Sequence, residues 1–374
     1  MNSILKDKNK RKKDMQKIKL FDPHVSNSEE IAVNKVLKSH FWASGSGVGL
    51  VKKFEEEFSK YIDTKDCVAV NSGTAALNLA LSIFDVKNKE VILPSLSFVS
   101  TANAVIENGG IPKFADIDEK TLCIDTEKIS KLISKKTRLI LPVHFAGLAV
   151  NLNDISSICK KYGLDSVEDA AHASGTKYKN KKIGSHGDLV CFSFHPVKNL
   201  AMPTGGLIAI NRNNHKKISK ILKEKRWCGI SNRKNTDYDV KEIGWNYYMN
   251  EFSAAIGLEQ LKKLDRMNDF RRKVAKKYSD EIELEHKMPF DNNCSYHFYW
   301  IRVKNREKFR KKLFEKGIET GIHYKPIHTF SFYKSKIKLP VTEKISNEIV
   351  SLPTHPNLTG KDVEKIINTV NKSY

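Results

Sequence analysis

The sequence predicts an α/β protein, with a mostly parallel sheet covered by helices and a smaller α+β domain after it. Three observations carry this reading. From about residue 27, helix-like and strand-like segments alternate with short links, the pattern of repeated β–α–β units. The strand-like segments are short and almost wholly apolar, as parallel strands buried on both faces must be. After about residue 285 the texture changes to alternating aromatic and polar residues in YHFYWIRV, then a charged helix in REKFRKKLFEKG. A chain of 374 residues is long enough for one large core and a smaller one.

Residues 1–20 are expected to form a basic, disordered arm, because they hold few apolar residues to repay ordering. SNSEEIAVNKVLKS then opens with the capping residues Ser26, Ser28 and Glu29 ahead of a periodic apolar set. Residues 51–62 place Val51, Phe54, Phe58 and Tyr61 on one helical face. CVAV at 67–70 is a buried strand running into the helix-like NSGTAALNLALSIF. VILP at 91–94 is a strand followed by the helix-like FVSTANAVIEN, and IPKFADI at 111–117 and RLILPV at 138–143 are strands. Residues 151–163 form a capped helix with Gly163 as its stop. DSVEDAA at 165–171 is a strand ending in carboxylates, and LVCFSF at 189–194 and GLIAI at 206–210 are further strands. Two long helical stretches follow, at 214–226 and 250–282. The expected division is an arm at 1–20, a large domain at 21–250, and a helix linker with a small C-terminal domain at 251–374.

Composition excludes several classes. With 40% hydrophobic residues, wholesale disorder is ruled out. No apolar run approaches the roughly 20 residues of a spanning helix. None of the six cysteines forms a C-x-x-C pair, so no zinc ribbon or metal site is expected, and scattered cysteines read as reduced thiols in the cytosol. The net charge of +22 is unusual. About six of these charges sit in residues 1–19, and the rest are spread mostly as lysines on helix faces. A nucleic-acid binder could use such a surplus, but the basic residues are not interleaved with aromatics in a recognisable module. A positive field also suits an enzyme that handles an anionic substrate.

Three motifs carry chemistry. In Asn71-Ser72-Gly73-Thr74 a strand ends, a glycine permits close approach and a helix begins, which aims unpaired N–H groups at one point. That is a phosphate site, although the turn alone reads equally as an ordinary N-cap. In Val167-Glu168-Asp169-Ala170-Ala171-His172 an acidic pair ends an apolar strand, where ligands of open α/β sheets sit. Asp169 there could hold a metal, a ribose hydroxyl or a protonated ring nitrogen, or simply cap a helix. In Phe192-Ser193-Phe194-His195-Pro196-Val197-Lys198-Asn199, with Gly205-Gly206 close behind, a lysine follows an aromatic strand. Loss of solvation there lowers its pKa toward nucleophilic use.

Together these motifs resemble pyridoxal phosphate enzymes of the aspartate aminotransferase fold, and in particular the DegT/StrS family of sugar-nucleotide aminotransferases. The matching stretches include FEEEFSKY, NSGTAALNLAL, LPSLSFVSTANAV, PKFADID, PVHFAG, VEDAAHASG, FSFHPVKN, AAIGLEQLKKLD, GIHYKPIH and SLPTHPNLT. The resemblance implies a seven-stranded, mostly parallel sheet (fold type I), pyridoxal 5'-phosphate as cofactor and a homodimer with shared active sites. It assigns Lys198 as the lysine that carries the cofactor and Asp169 as the partner of the ring nitrogen. It gives Gly73, Thr74 and Ser193 the phosphate, Phe98 the ring face and His172 a ring contact. Asn246 matches a residue that reaches the neighbouring subunit's phosphate. His323, Tyr324 and His328, in GIHYKPIH, match substrate-binding positions. Two departures stand out: Tyr248 where the family often has Arg, and Thr204 where Glu is common.

The implied reaction is amination of a nucleotide-linked keto-deoxy sugar, a 4-keto-6-deoxyhexose, with glutamate as donor. The rival within the family is a sugar dehydratase, in which histidine replaces the lysine; Lys198 argues against it. The rival from another class is a nucleic-acid-binding regulator, which has no use for a strand-end Asp and a desolvated Lys.

Overall fold

The computed structural model describes residues 17–333 and 335–374. The expected arm therefore lies, up to residue 16, outside the described residues. Its last four residues are not an arm. Ile18 is buried and joins the main core, while its N–H and C=O bond Gly317 and Glu319. One isoleucine between Lys17 and Lys19 is enough to pin the chain, because the two lysines stay in water while it is buried.

Helix α1 (Asn27–Ser39) opens with the expected capping box, in which the Glu29 carboxylate accepts from the Ser26 N–H at 3.0 Å. Helix α2 (Leu50–Ile62) buries Val51, Phe54, Phe58 and Ile62 on one face. The alternating region follows as β1 (Asp66–Val70), α3 (Gly73–Leu81), β2 (Glu90–Pro94), α4 (Ser100–Glu107), β3 (Ile111–Ala115), α5 (Thr126–Leu132), β4 (Thr137–Ile140), α6 (Leu152–Tyr162) and β5 (Asp165–Asp169). A small hairpin, β6 (Lys177–Tyr178) and β7 (Lys181–Lys182), leads to β8 (Leu189–Ser193) and β9 (Gly206–Ile210). Then come α7 (His215–Lys225), a hairpin of β10 (Ile230–Lys234) and β11 (Asp237–Val240), and α8 (Glu251–Glu281). The C-terminal part holds β12 (Tyr299–Arg302), α9 (Arg306–Glu315), α10 (Pro340–Glu348), β13 (Ile349–Leu352) and α11 (Gly360–Asn371). Strand β4 stops at Ile140, short of the expected Val143. Pro142 has no N–H to give the ladder, and only a single bridge, Val143 to Asp169, resumes the pairing.

Seven strands form the central sheet in the order β1–β9–β8–β5–β4–β2–β3. All pairings are parallel except those of β9, which runs antiparallel to both β1 and β8. The exception has a local cause. A parallel return needs a crossover element, and residues 194–205 between β8 and β9 contain no helix or strand. Alternate strand residues face opposite layers, so Cys67 and Ala69 belong to one core, and Val68 and Val70 to the other. The first of these cores continues without a break into the C-terminal part through Trp300, Ile301, Leu352 and Val363. This topology brings the carboxyl ends of β1, β2, β5 and β8 to one edge of the sheet, and all three motifs sit there. No helix among the described residues is long and apolar enough to cross a membrane.

Candidate active site

The turn between β1 and α3 forms a cradle. Ser72 caps α3 by accepting from the Ala75 N–H at 3.1 Å. The Gly73 and Thr74 N–H groups find no acceptor among the described residues, and the Thr74 side chain is exposed. Three close approaches shape the turn. A Cβ on Gly73 would lie 2.6 Å from Ser193 Cβ at the end of β8, and one on Gly206 would lie 2.2 Å from the Ser72 carbonyl oxygen. Thr204 donates its hydroxyl to the Asn71 carbonyl, tying the β8–β9 connection to the same turn. Only glycine at 73 and 206 lets helix start and strand ends come together so closely. The result is a set of free donors at a helix N-terminus, beside the Ser193 hydroxyl.

Asp169 ends β5 and is buried. Its Oδ2 accepts from Thr101 Oγ1 at 2.8 Å and its Oδ1 from the Ala171 N–H at 3.1 Å. Ser97 Oγ lies 2.8 Å from Thr101 Oγ1, which completes a short relay from α4 to the carboxylate. Burial pushes the Asp169 pKa up, and the two donors and the nearby Lys198 oppose that push. Glu168, one residue earlier, faces the other way. Its Oε2 lies 3.0 Å from His144 Nε2 in a fully buried pair. The acidic pair of the sequence is thus two separate groups, and Asp169 alone meets the site. Lys198 sits in the β8–β9 connection. Burial pushes its amine down to about 8, Asp169 opposes that shift, and no acceptor side chain among the described residues holds the amine.

His172 lies just beyond Asp169 and is buried. Its Nδ1 accepts from the Ala146 N–H at 3.3 Å, and its Nε2 is 3.0 Å from the Tyr324 hydroxyl. Burial, with Lys198 and His323 close by, holds its pKa well below 6.5. Phe98, 55% exposed, stands 6.1 Å from the Tyr324 ring and is free to cover a flat ligand. His323 stacks on Phe298 at 4.4 Å, and its Nδ1 meets Ser351 Oγ at 2.8 Å. His328 is set apart from these. Its Nδ1 is 2.7 Å from Ser95 Oγ and its Nε2 3.3 Å from Glu343 Oε1, with 4% of its surface exposed. Both ring nitrogens are used in fixing the chain after Pro326, so the substrate role read for His328 finds no free edge. Asn246 is exposed, and its backbone C=O accepts from Asn71 Nδ2 at 3.2 Å.

A sequence model of the DegT/DnrJ/EryC1/StrS aminotransferase family matches residues 23–371. The chain belongs to this family. It is 33% identical to an uncharacterized protein of Methanocaldococcus jannaschii, over 94% of this chain and 96% of that one. Its fold matches the putative sugar aminotransferase Spr1654 of Streptococcus pneumoniae with a TM-score of 0.91 at 25% identity, over 96% and 97% of the two chains. It matches Helicobacter pylori PseC, an aminotransferase involved in pseudoaminic acid biosynthesis, with a TM-score of 0.89 at 29% identity, over 96% and 99%. Spr1654 has been solved in PLP, PMP and apo forms. The family member described here is an aminotransferase of fold type I, and pyridoxal 5'-phosphate is its cofactor.

The residues present fit that group. The orphan N–H groups of Gly73 and Thr74 suit a phosphate, the doubly supported Asp169 suits a protonated ring nitrogen, and the unpartnered Lys198 amine suits an aldehyde. Sequence reasoning missed Thr101, which lies in the matching stretch LPSLSFVSTANAV but carries no mark of function in a helix start. It also missed His297, whose ring lies 4.6 Å from that of His172 in a tilted pair and belongs to the aromatic texture near 296–303.

Proposed function

We propose that this aminotransferase converts a nucleotide-linked keto-deoxy sugar, a 4-keto-6-deoxyhexose, to the amino sugar, with glutamate as amino donor. The observation that carries the reading is the Lys198 amine, held near a pKa of 8 beside buried Asp169 at the sheet edge. The names of Spr1654 and PseC, which concern sugars and pseudoaminic acid, support the substrate class. The net charge of +22 favours an anionic substrate such as a diphosphate-linked sugar.

When bound, pyridoxal phosphate supplies an electron sink for the carbon that carries the amine. The chain supplies the rest. Gly73, Thr74 and Ser193 would hold the phosphate, and Asp169, whose carboxylate accepts from Thr101 and the Ala171 N–H, would hold the proton on the ring nitrogen. A fall of the Lys198 pKa from 10.5 to about 8 raises its neutral fraction at pH 7 roughly 300-fold. The neutral amine can then move a proton to and from the substrate carbon as general base and acid. The same lysine argues against the dehydratase alternative.

The proposed assembly is a homodimer in which Asn246 reaches the phosphate held by a second copy. Its backbone is anchored beside Asn71 while its side chain finds no partner among the described residues. The direct test of the function is incubation of the holoenzyme with glutamate and nucleotide-linked 4-keto-6-deoxyhexoses, read by mass spectrometry. The expected product carries an amine and a hydrogen in place of the keto oxygen, a gain of about 1 Da over the keto substrate. Turnover of simple keto acids with no reaction of any nucleotide-linked sugar would overturn the substrate assignment.

A further inference from the structure

Lys198 and Asp169 must keep a fixed relation for proton transfer, yet they sit on different elements, and no hydrogen bond joins them among the described residues. Asp169 ends β5, while Lys198 lies in the connection between β8 and β9, which has no ladder of its own to hold it. The next residue does the holding. Lys198 feels the charge of Asp169, and Asn199 is buried against α8. Asn199 Nδ2 donates to Asn268 Oδ1 at 2.9 Å and to the Ser295 carbonyl at 2.7 Å. Asn268, on α8 and fully buried, donates from Nδ2 to the Ser174 carbonyl at 2.9 Å. Ser174 lies in the loop after Asp169. Ser295, in the segment before β12, donates from Oγ to the His172 carbonyl of that same loop at 3.1 Å. The bonds close a circuit: the loop after β5 and the loop after β8 are tied together twice, once through α8 and once through Ser295.

The polarity of this circuit is fixed by its ends. Backbone carbonyls can only accept, so Ser295 and Ser174 decide which end of each amide faces them. Asn199 must turn its NH2 to Ser295, and Asn268 its NH2 to Ser174. Asn268 then offers its oxygen to Asn199, which is what the second Asn199 hydrogen needs. Aspartate at either position lacks the donor, and an apolar residue lacks both groups. The loop comes this close because residue 175 is glycine: a Cβ there would lie 2.4 Å from Asn268 Nδ2, and its φ of +88° suits glycine. Asn199 Oδ1 is buried and has no donor among the described residues. A side chain kept for stability alone would not leave that acceptor orphaned, because an unmet buried acceptor costs stability.

We propose that Asn268, acting through Asn199 and Ser174, is a positioning residue that holds Lys198 in place relative to Asp169 for proton transfer. It touches neither the cofactor nor the substrate. This rests on the assignment of Lys198 as the group that moves the proton. Released from the circuit, the Lys198 connection gains water, so its amine takes up charge more readily. The geometry of transfer degrades as well, while binding of the amino donor is little changed.

The test pairs two measurements. In the cofactor-free protein, labelling by an amine-reactive reagent with peptide mapping gives the pH midpoint of Lys198. In the holoenzyme, single-turnover absorption with glutamate gives the limiting rate and the half-saturating concentration. Asn268→Ala should lower the limiting rate about 100-fold, the cost of a misplacement of about 1 Å, and leave the half-saturating concentration within about twofold. It should also raise the labelling midpoint from about 8 toward 10.5. Asn199→Ala should do the same, and it carries the test if Asn268→Ala does not fold. The double variant should go no further than the more affected single one, since both break one circuit. Val274→Ala, buried on α8 outside the circuit, is the control for lost packing and should lower the melting temperature without moving either readout. An unchanged rate and midpoint in folded Asn268→Ala, or equal changes in Val274→Ala at the same melting temperature, would overturn the proposal and leave the circuit as packing. A raised midpoint with an unchanged limiting rate would keep the hold on the loop and overturn the role of Lys198 instead.

Discussion

Replacing Asp169 by Asn separates charge from shape at the centre of the site. The amide has the volume of the carboxylate, and its oxygen can still accept from Thr101 or from the Ala171 N–H, so the strand end should keep its form. What is lost is the negative charge opposite the ring nitrogen. Only 4% of Asp169 is exposed, so water screens little of that interaction. Two unit charges about 3 Å apart attract by roughly 5 kcal/mol at an effective dielectric constant near 20. Removing one partner of a buried pair costs about 3–5 kcal/mol in measured cases. If most of that loss falls on the transition state, the half-reaction with glutamate should slow by roughly 150- to 5,000-fold. Single-turnover absorption of the bound cofactor after mixing with glutamate measures this directly, and the melting temperature reports the fold. A variant within about fivefold of the unmodified rate, with cofactor bound, would refute the reasoning and leave Asp169 as a structural cap.

Three further outcomes follow from particular contacts. Gly73→Ala should weaken pyridoxal phosphate binding by about tenfold or more, because its Cβ would lie 2.6 Å from Ser193 Cβ and must push the cradle open; equilibrium dialysis would show it. In the cofactor-free protein, labelling of Lys198 by an amine-reactive reagent should rise with pH through a midpoint of about 8, since the neutral form is the nucleophile and accumulates above that pKa; a midpoint near 10.5 would contradict the burial argument. A chain beginning at Lys17 should keep an unchanged kcat, whereas one beginning at Leu20 loses the buried Ile18 and should unfold at lower denaturant, by about 1.5–3 kcal/mol of lost burial.

Much of the fold was legible because its signals are local. The apolar runs at 67–70, 91–94, 189–193 and 206–210 could only be buried strands, and Gly163 does end α6 in a left-handed conformation. The antiparallel course of β9 was not legible. It follows from the absence of a crossover after β8, a property of the connection and not of the strand. Nor were the exposed hairpin β10–β11, β13 or α10 distinguished, since their residues show no strong periodicity. At the site, residue types marked Lys198, Asp169 and Gly73 because few other positions combine such groups with apolar strand ends. Thr101 and Ala146 act through one hydroxyl and one backbone N–H, which no sequence pattern advertises. His328 shows the converse: a histidine in a matching stretch whose nitrogens the fold had already used.

The central claim is that Lys198 is the residue that carries the cofactor. Borohydride reduction of the holoenzyme followed by peptide mapping tests it most directly. The account predicts a single phosphopyridoxyl adduct on Lys198, in the peptide containing FSFHPVKN. An adduct on any other of the chain's lysines, or none, would contradict it.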